Sequence, residues 1–78
     1  MEKLVYCILQ HRGDWQIFSN GVFYGPHRSA DAAIKFAVGA AKRAKKDGQP
    51  VLVLLQQRDG ILQPIWQYNC EYNTYCAA

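Results

Sequence analysis

Apolar and polar positions alternate with period two at the start of the chain. Over 3–11, Val5, Cys7, Leu9 and His11 share one side of an extended strand, and Leu4, Tyr6, Ile8 and Gln10 share the other. Arg12-Gly13-Asp14 reads as a turn, and 15–19 as a second strand rich in aromatic and β-branched residues. Asn20-Gly21 follows, the strongest two-residue hairpin signal, because both positions of a type I′ turn need positive φ. A short third strand over 22–25 would set Phe23 opposite Phe18, and Gly25-Pro26-His27 ends it.

The period then changes to that of a helix. Ala30, Ile34, Ala37, Val38, Ala41 and Ala44 recur at spacings of three and four. Ser29 stands where an N-cap belongs, and Asp31 in the first turn suits the helix dipole. Gly48 suits a left-handed C-cap, and Pro50 forbids continuation. So many alanines in the stripe imply a close approach of helix to sheet.

After the helix, Val51-Leu52-Val53-Leu54-Leu55 is apolar on both sides, as expected of a central strand covered on two faces. Arg58-Asp59-Gly60 reads as a turn, with Asp59-Gly60 suiting type I′. The last strand is expected over 61–67, at an edge, because Pro64 cannot donate to a ladder. The reading is an α+β domain of order β-β-β-α-β-β, with one helix on one face of a mostly antiparallel five-stranded sheet. If the strand after the helix pairs with the first, that pair is parallel and the sheet order is 3-2-1-4-5. The domain spans 1–68, and 69–78 is a tyrosine-rich C-terminal tail.

Composition narrows the class. Seventy-eight residues make one domain, and a hydrophobic share of 50% against 19% charged argues for a packed core rather than disorder. No apolar run approaches the roughly 20 residues of a membrane helix, and the first residues lack the regions of a secretory signal. The three cysteines, Cys7, Cys70 and Cys76, fit free thiols better than a disulfide framework. A cytoplasmic location is the expectation. The charge is uneven. Residues 28–47 hold six cations and two acids, leaving three cations and four acids elsewhere, so the basic character belongs to the helix.

Candidate chemistry is sparse. Cys7 and His11 share a strand side but sit roughly 13 Å apart along it, too far for a nucleophile and its base. His11, His27, Cys70 and Cys76 lack the tight spacing of a zinc site. Asp14, Asp47 and Asp59 stand where turn and cap chemistry accounts for them. No catalytic residue, metal ligand or cofactor is predicted. Two surface features remain. Lys35, Lys42, Arg43 and Lys46 are candidates for anion or nucleic-acid contact, with Lys35, Lys42 and Lys46 opposite the apolar stripe. The bland reading of this group is a solvated last turn that offsets the helix dipole. Trp66, Tyr68 and Tyr72 are candidates for a protein interface, since Trp and Tyr suit such surfaces.

Trp15 and Ile17, Asn20-Gly21, Ser29 with Ala32-Ala33-Ile34 and Ala37, Val51 and Val53, and Asp59-Gly60 with Leu62 together form a pattern. In it the chain resembles a group of small bacterial domains of unknown function. That group usually has an acidic residue where Ala32 or Ala33 stands here. The β-β-β-α start is also similar in topology to HicB-type antitoxins and other partial double-stranded-RNA-binding-like folds. The resemblance implies an α+β fold and no established activity. The functional expectation is a non-enzymatic protein-binding domain that self-associates as a homodimer or binds another protein. The alternative is a nucleic-acid-associated module using the basic face of the helix. One helix covers one face of a sheet, so the other face is expected to be covered by a second copy, by the tail, or by both.

Overall fold

A computed structural model describes residues 3–69 and 74–77 of the chain. Six strands and one helix follow in the order β1 (Leu4–His11), β2 (Asp14–Ser19), β3 (Val22–His27), α1 (Ala30–Lys46), β4 (Val51–Gln56), β5 (Leu62–Asn69) and β6 (Thr74–Ala77). The sheet order is β3-β2-β1-β4-β5-β6. The expected order 3-2-1-4-5 is therefore present, extended by a sixth short strand from the stretch read as a tail. The sheet is mixed: β1 and β4 run parallel, and every other neighbouring pair is antiparallel. The parallel pair exists because β2, β3 and α1 all intervene, and the chain crosses over the sheet before it returns beside β1.

The turns explain the register. Asn20 and Gly21 both take positive φ, 52° and 79°, the type I′ conformation whose twist matches the flanking strands. Arg12 and Gly13 do the same between β1 and β2. The turn between β4 and β5 differs from expectation. Gly60 N–H donates to the Gln57 carbonyl and Gln57 N–H to the Ile61 carbonyl, so the loop is a longer one built on a four-residue turn. Asp59 does not take the positive φ that type I′ needs; its Oδ1 accepts instead from Ile61 N–H at 3.0 Å. Nor is β5 an edge along its whole length. Trp66 to Asn69 pair with β6, while Pro64 lies outside that pairing, next to a register shift between Val53 and Leu54 of β4. The missing N–H of Pro64 therefore costs no bond to β6.

The helix begins and ends as its sequence directs. Ser29 Oγ accepts from Ala32 N–H at 3.2 Å. At the far end Gly48 has φ 78°, Gln49 N–H reaches the Ala44 carbonyl and Gly48 N–H the Lys45 carbonyl, a Schellman closure. The buried line of the helix is Ala33, Ala37 and Ala41, each fully enclosed. Ile34, Val38 and Ala44 flank it and pack against the core. Five of the six expected stripe residues therefore face the core, and Ala33 takes the place of Ala30. Opposite the alanines stand Ile8, Ile17, Val51 and Val53, all fully buried, joined by Trp66 and Tyr68. Methyl side chains at three successive turns let the helix axis approach the sheet closely, so β-branched residues below can fill the gap.

Candidate protein interface

Pairing partners in a sheet point their side chains the same way, so the register assigns each residue to a face. Ile8 pairs with Ile17 and Tyr6 with Val53, and these face the helix. The alternate residues make the open face. Phe23 pairs with Phe18, Phe18 with Cys7, and Cys7 with Leu54, one apolar row across four strands. Val5 pairs with Leu52 and Leu9 with Gln16 to either side of it. Val5, Cys7, Leu9, Phe18, Leu52 and Leu54 are each only partly buried. No described element crosses this face, because β6 joins the sheet edge-on beside β5 rather than covering it.

The open face has relief. Phe23 stands 60% exposed, with its ring tilted against Phe18 at 4.8 Å between centroids. Beside it lies a hollow of about 450 Å³ lined by Leu9, Gln10, His11, Gln16, Phe23 and Gln56. Gln10 N–H donates to Gln56 Oε1 at 3.0 Å across the rim. A second hollow of about 270 Å³ lies nearer the start of β1, against Val5, Cys7 and Phe18. Lys3 precedes β1 at one end of the face, and Asp14 opens β2 at the other, opposite His11. Burial pushes the Cys7 thiol above its ordinary range. That is opposite to the direction that activates a nucleophile.

The helix presents its cations where the sequence puts them. Lys35, Lys42, Arg43 and Lys46 are all exposed. Lys45, half-buried, holds Nζ 5.5 Å from the centre of the Tyr68 ring. Lys42, Lys45 and Lys46 border a cleft of about 300 Å³ together with Trp66. The stems of these lysines thus roof the aromatic residues of β5, beyond the strands that the helix body covers. Trp66 and Tyr68, expected at an interface, are 4% and 8% exposed and belong to the core on the helix side. Their aromatic surface suggested an interface, but the face they occupy depends on the register of β5 against β4, and that register puts them under the helix side. Tyr72 lies outside the described residues.

A third surface runs along β3, at the edge of the sheet. Val22, Phe23 and Tyr24 are 48%, 60% and 39% exposed, and Phe36 of the helix is 42% exposed. The Phe36 ring lies 6.0 Å from that of Tyr24 and 5.4 Å from that of His27. The Nε2 atom of His27 is enclosed here without a hydrogen-bond partner. Sequence reasoning passed over this group. Its signal was present: Val22-Phe23-Tyr24 is apolar at every position although only one face can be covered, and Phe36 falls off the helical stripe. Among the described residues no group of three or more His, Cys, Asp or Glu side chains gathers where it could hold a metal ion, and no helix is long and apolar enough to cross a membrane.

Compared with known families, curated proteins and solved structures, the chain has no significant match to any family model, curated sequence or solved fold.

Proposed function

We propose that this chain is a non-enzymatic, cytoplasmic protein-binding domain that self-associates by packing its open sheet face on that of a second copy. The observation that carries the reading is the apolar row Phe23, Phe18, Cys7 and Leu54, flanked by Val5, Leu52 and Leu9, on the face away from the helix. Contiguous apolar surface of this extent marks an interaction site. Five strands at about 4.8 Å spacing and about 17 Å of strand length give a projected area on the order of 400 Å². Protruding side chains raise the accessible area above the projection, towards the roughly 800 Å² per partner of a stable complex.

Three features favour a second copy as the occupant. The face is neutral across its middle, so like can meet like without repulsion. Its charges, Lys3 and Asp14, stand at opposite ends, and a two-fold-related copy laid antiparallel sets each against its opposite. A protruding ring and a hollow lie side by side, the arrangement a self-complementary surface requires. Light scattering after size exclusion tests this: the chain should run at a multiple of 8.9 kDa, and Leu54→Glu should lower the mass while circular dichroism stays unchanged. A wild-type chain that remains at 8.9 kDa at about millimolar concentration, well above the Kd of an interface of this area, ends the proposal.

The second reading, binding of nucleic acid, rests on the exposed ridge of Lys35, Lys42, Arg43 and Lys46. Such a ridge gives salt-sensitive and sequence-independent affinity. Arg43 and Lys46 of this ridge also act within the chain, offsetting the helix dipole from the last turn, which is why the sheet face is preferred.

A further inference from the structure

Of the six large apolar side chains exposed among the described residues, four gather at one place: Val22, Phe23 and Tyr24 on β3, and Phe36 beside them on the helix. β3 is an edge of the sheet, so among the described residues its outward N–H and C=O groups meet no strand. Edge strands in soluble proteins are ordinarily blunted by charge. No charged side chain stands in Val22-Phe23-Tyr24-Gly25-Pro26. We infer that β3 is a pairing edge whose partner is β3 of a second copy, running antiparallel about a two-fold axis through Phe23. This rests on the self-association proposed above and adds a second contact to it.

The register follows from the hairpin. Ser19 and Val22 flank a two-residue turn and pair with each other, so they exchange both hydrogen bonds. In an antiparallel ladder the next pair, Phe18 and Phe23, is then of the kind without hydrogen bonds. The N–H and C=O of Phe23 therefore point away from β2, towards the open edge. One residue offers both a donor and an acceptor there, and two copies related by a two-fold satisfy both at once. In that register Phe23 meets its own equivalent on the open face. On the helix side Val22 of each copy lies across from Tyr24 of the other, next to Phe36. All four exposed side chains are thereby covered. A charged or extended foreign peptide would satisfy the backbone but has no such reason to match the side chains on both faces.

Pairing ends where the strand ends. Pro26 has no N–H to give, and the register between β2 and β3 shifts between Trp15 and Ile17, so the ladder is short. Its area falls below that of a stable interface, which makes edge pairing the weaker of the two contacts. The two-fold axis of edge pairing stands perpendicular to the sheet and leaves both open faces on the same side. Face-to-face packing uses axes in the plane of the sheet. The two together close into a tetramer of dihedral symmetry, with two continuous sheets packed face to face and helices outside.

Disulfide trapping tests the register. Residues exchanging both hydrogen bonds across an antiparallel pair have Cα atoms about 5.5 Å apart, within reach of a disulfide. In a chain carrying Cys7→Ser, Cys70→Ser and Cys76→Ser, Phe23→Cys should form a covalent dimer under mild air oxidation. Val22→Cys should not, since its equivalent lies more than about 7 Å away in this register. Val22→Lys with Tyr24→Lys should halve the mass of the wild-type assembly, because it sets like charges opposite each other across the edge and leaves Phe23 and the open face intact. No crosslink at position 23, or equal crosslinking at 22 and 23, overturns the inference. Leu54→Glu separates the two contacts. If it lowers the mass but position 23 still crosslinks, both contacts stand. If it leaves the mass unchanged and position 23 crosslinks, the edge stands and the face reading fails. If the wild type is dissociated by Leu54→Glu and position 23 never crosslinks, the face stands and the edge fails.

Discussion

Replacing Ile17 by alanine tests the assignment of the two sheet faces. Ile17 is fully buried on β2, paired with Ile8 and placed beneath the alanine line of the helix. The change removes three carbons. At about 0.8 kcal/mol for each buried carbon, the transfer term is about 2.4 kcal/mol. A cavity term adds to it, since a helix held close by three alanines has little slack to collapse, and the total is about 3–4 kcal/mol. A domain of this length has on the order of 4–12 kcal/mol in all. With an unfolding entropy of about 2.1 cal/mol/K per residue, a loss of 3 kcal/mol lowers Tm by roughly 18 °C. Val5 makes the comparison. It lies on the open face and is only partly buried, so Val5→Ala in a single chain should cost under about 1 kcal/mol. Both are measured by urea denaturation in the Leu54→Glu background, so that association does not add to the apparent stability. Equal costs at Val5 and Ile17, or a cost below about 1 kcal/mol at Ile17, would refute the facial assignment and the interface built on it.

Ala37→Leu forces three carbons between helix and sheet and should cost about 1–3 kcal/mol in the same denaturation assay, despite its better hydrophobicity. Gly48→Ala should cost about 1–2 kcal/mol through the left-handed backbone alone, because a methyl group there meets no atom within 4 Å; Gly48→Asn should recover part of it. Burial raises the Tyr6 hydroxyl and the Cys7 thiol above their ordinary values, with Tyr24 adding to the Tyr6 shift and Arg43 opposing it. The folded chain then holds these protons longer than the unfolded chain, so stability is full below the ordinary values of 9.0 and 10.0 and falls as pH rises past them. Tyr6→Phe and Cys7→Ser should flatten that alkaline decline in thermal melts. Lys42→Glu with Lys46→Glu should abolish any binding of a fluorescent oligonucleotide at low salt without lowering the oligomer mass; binding that persists, or that ignores salt, excludes the helix ridge as its site.

Where local chemistry suffices, the sequence by itself determined this protein. Ser29, Asp31, Gly48 and Pro50 delimit the helix through groups a few residues apart, and the observed cap bonds form at Ser29 and at Gly48 with Gln49. Asn20-Gly21 forces its turn because its backbone conformation is closed to most other residues. The apolar run 51–55 needs cover on both faces, so it announced a central strand, and β4 is one. The same run also implied a second apolar face. What occupies each face was decided only in three dimensions. Trp66 and Tyr68 fall under the helix side because a register shift opposite Val53 and Leu54 sets the phase of β5, and nothing in 61–69 alone fixes that phase. The Asp59-Gly60 loop takes one residue more than a type I′ turn because the ends of β4 and β5 meet in that shifted register. Phe36 stands off the helical stripe, where nothing in the sequence assigned it a role. It became part of an aromatic surface because the hairpin of β2 and β3 brings Tyr24 and His27 to that flank of the helix. Period and capping are properties of neighbours in the chain. Which apolar side chains remain exposed is a property of long-range pairing, and the candidate interface lies in that second class.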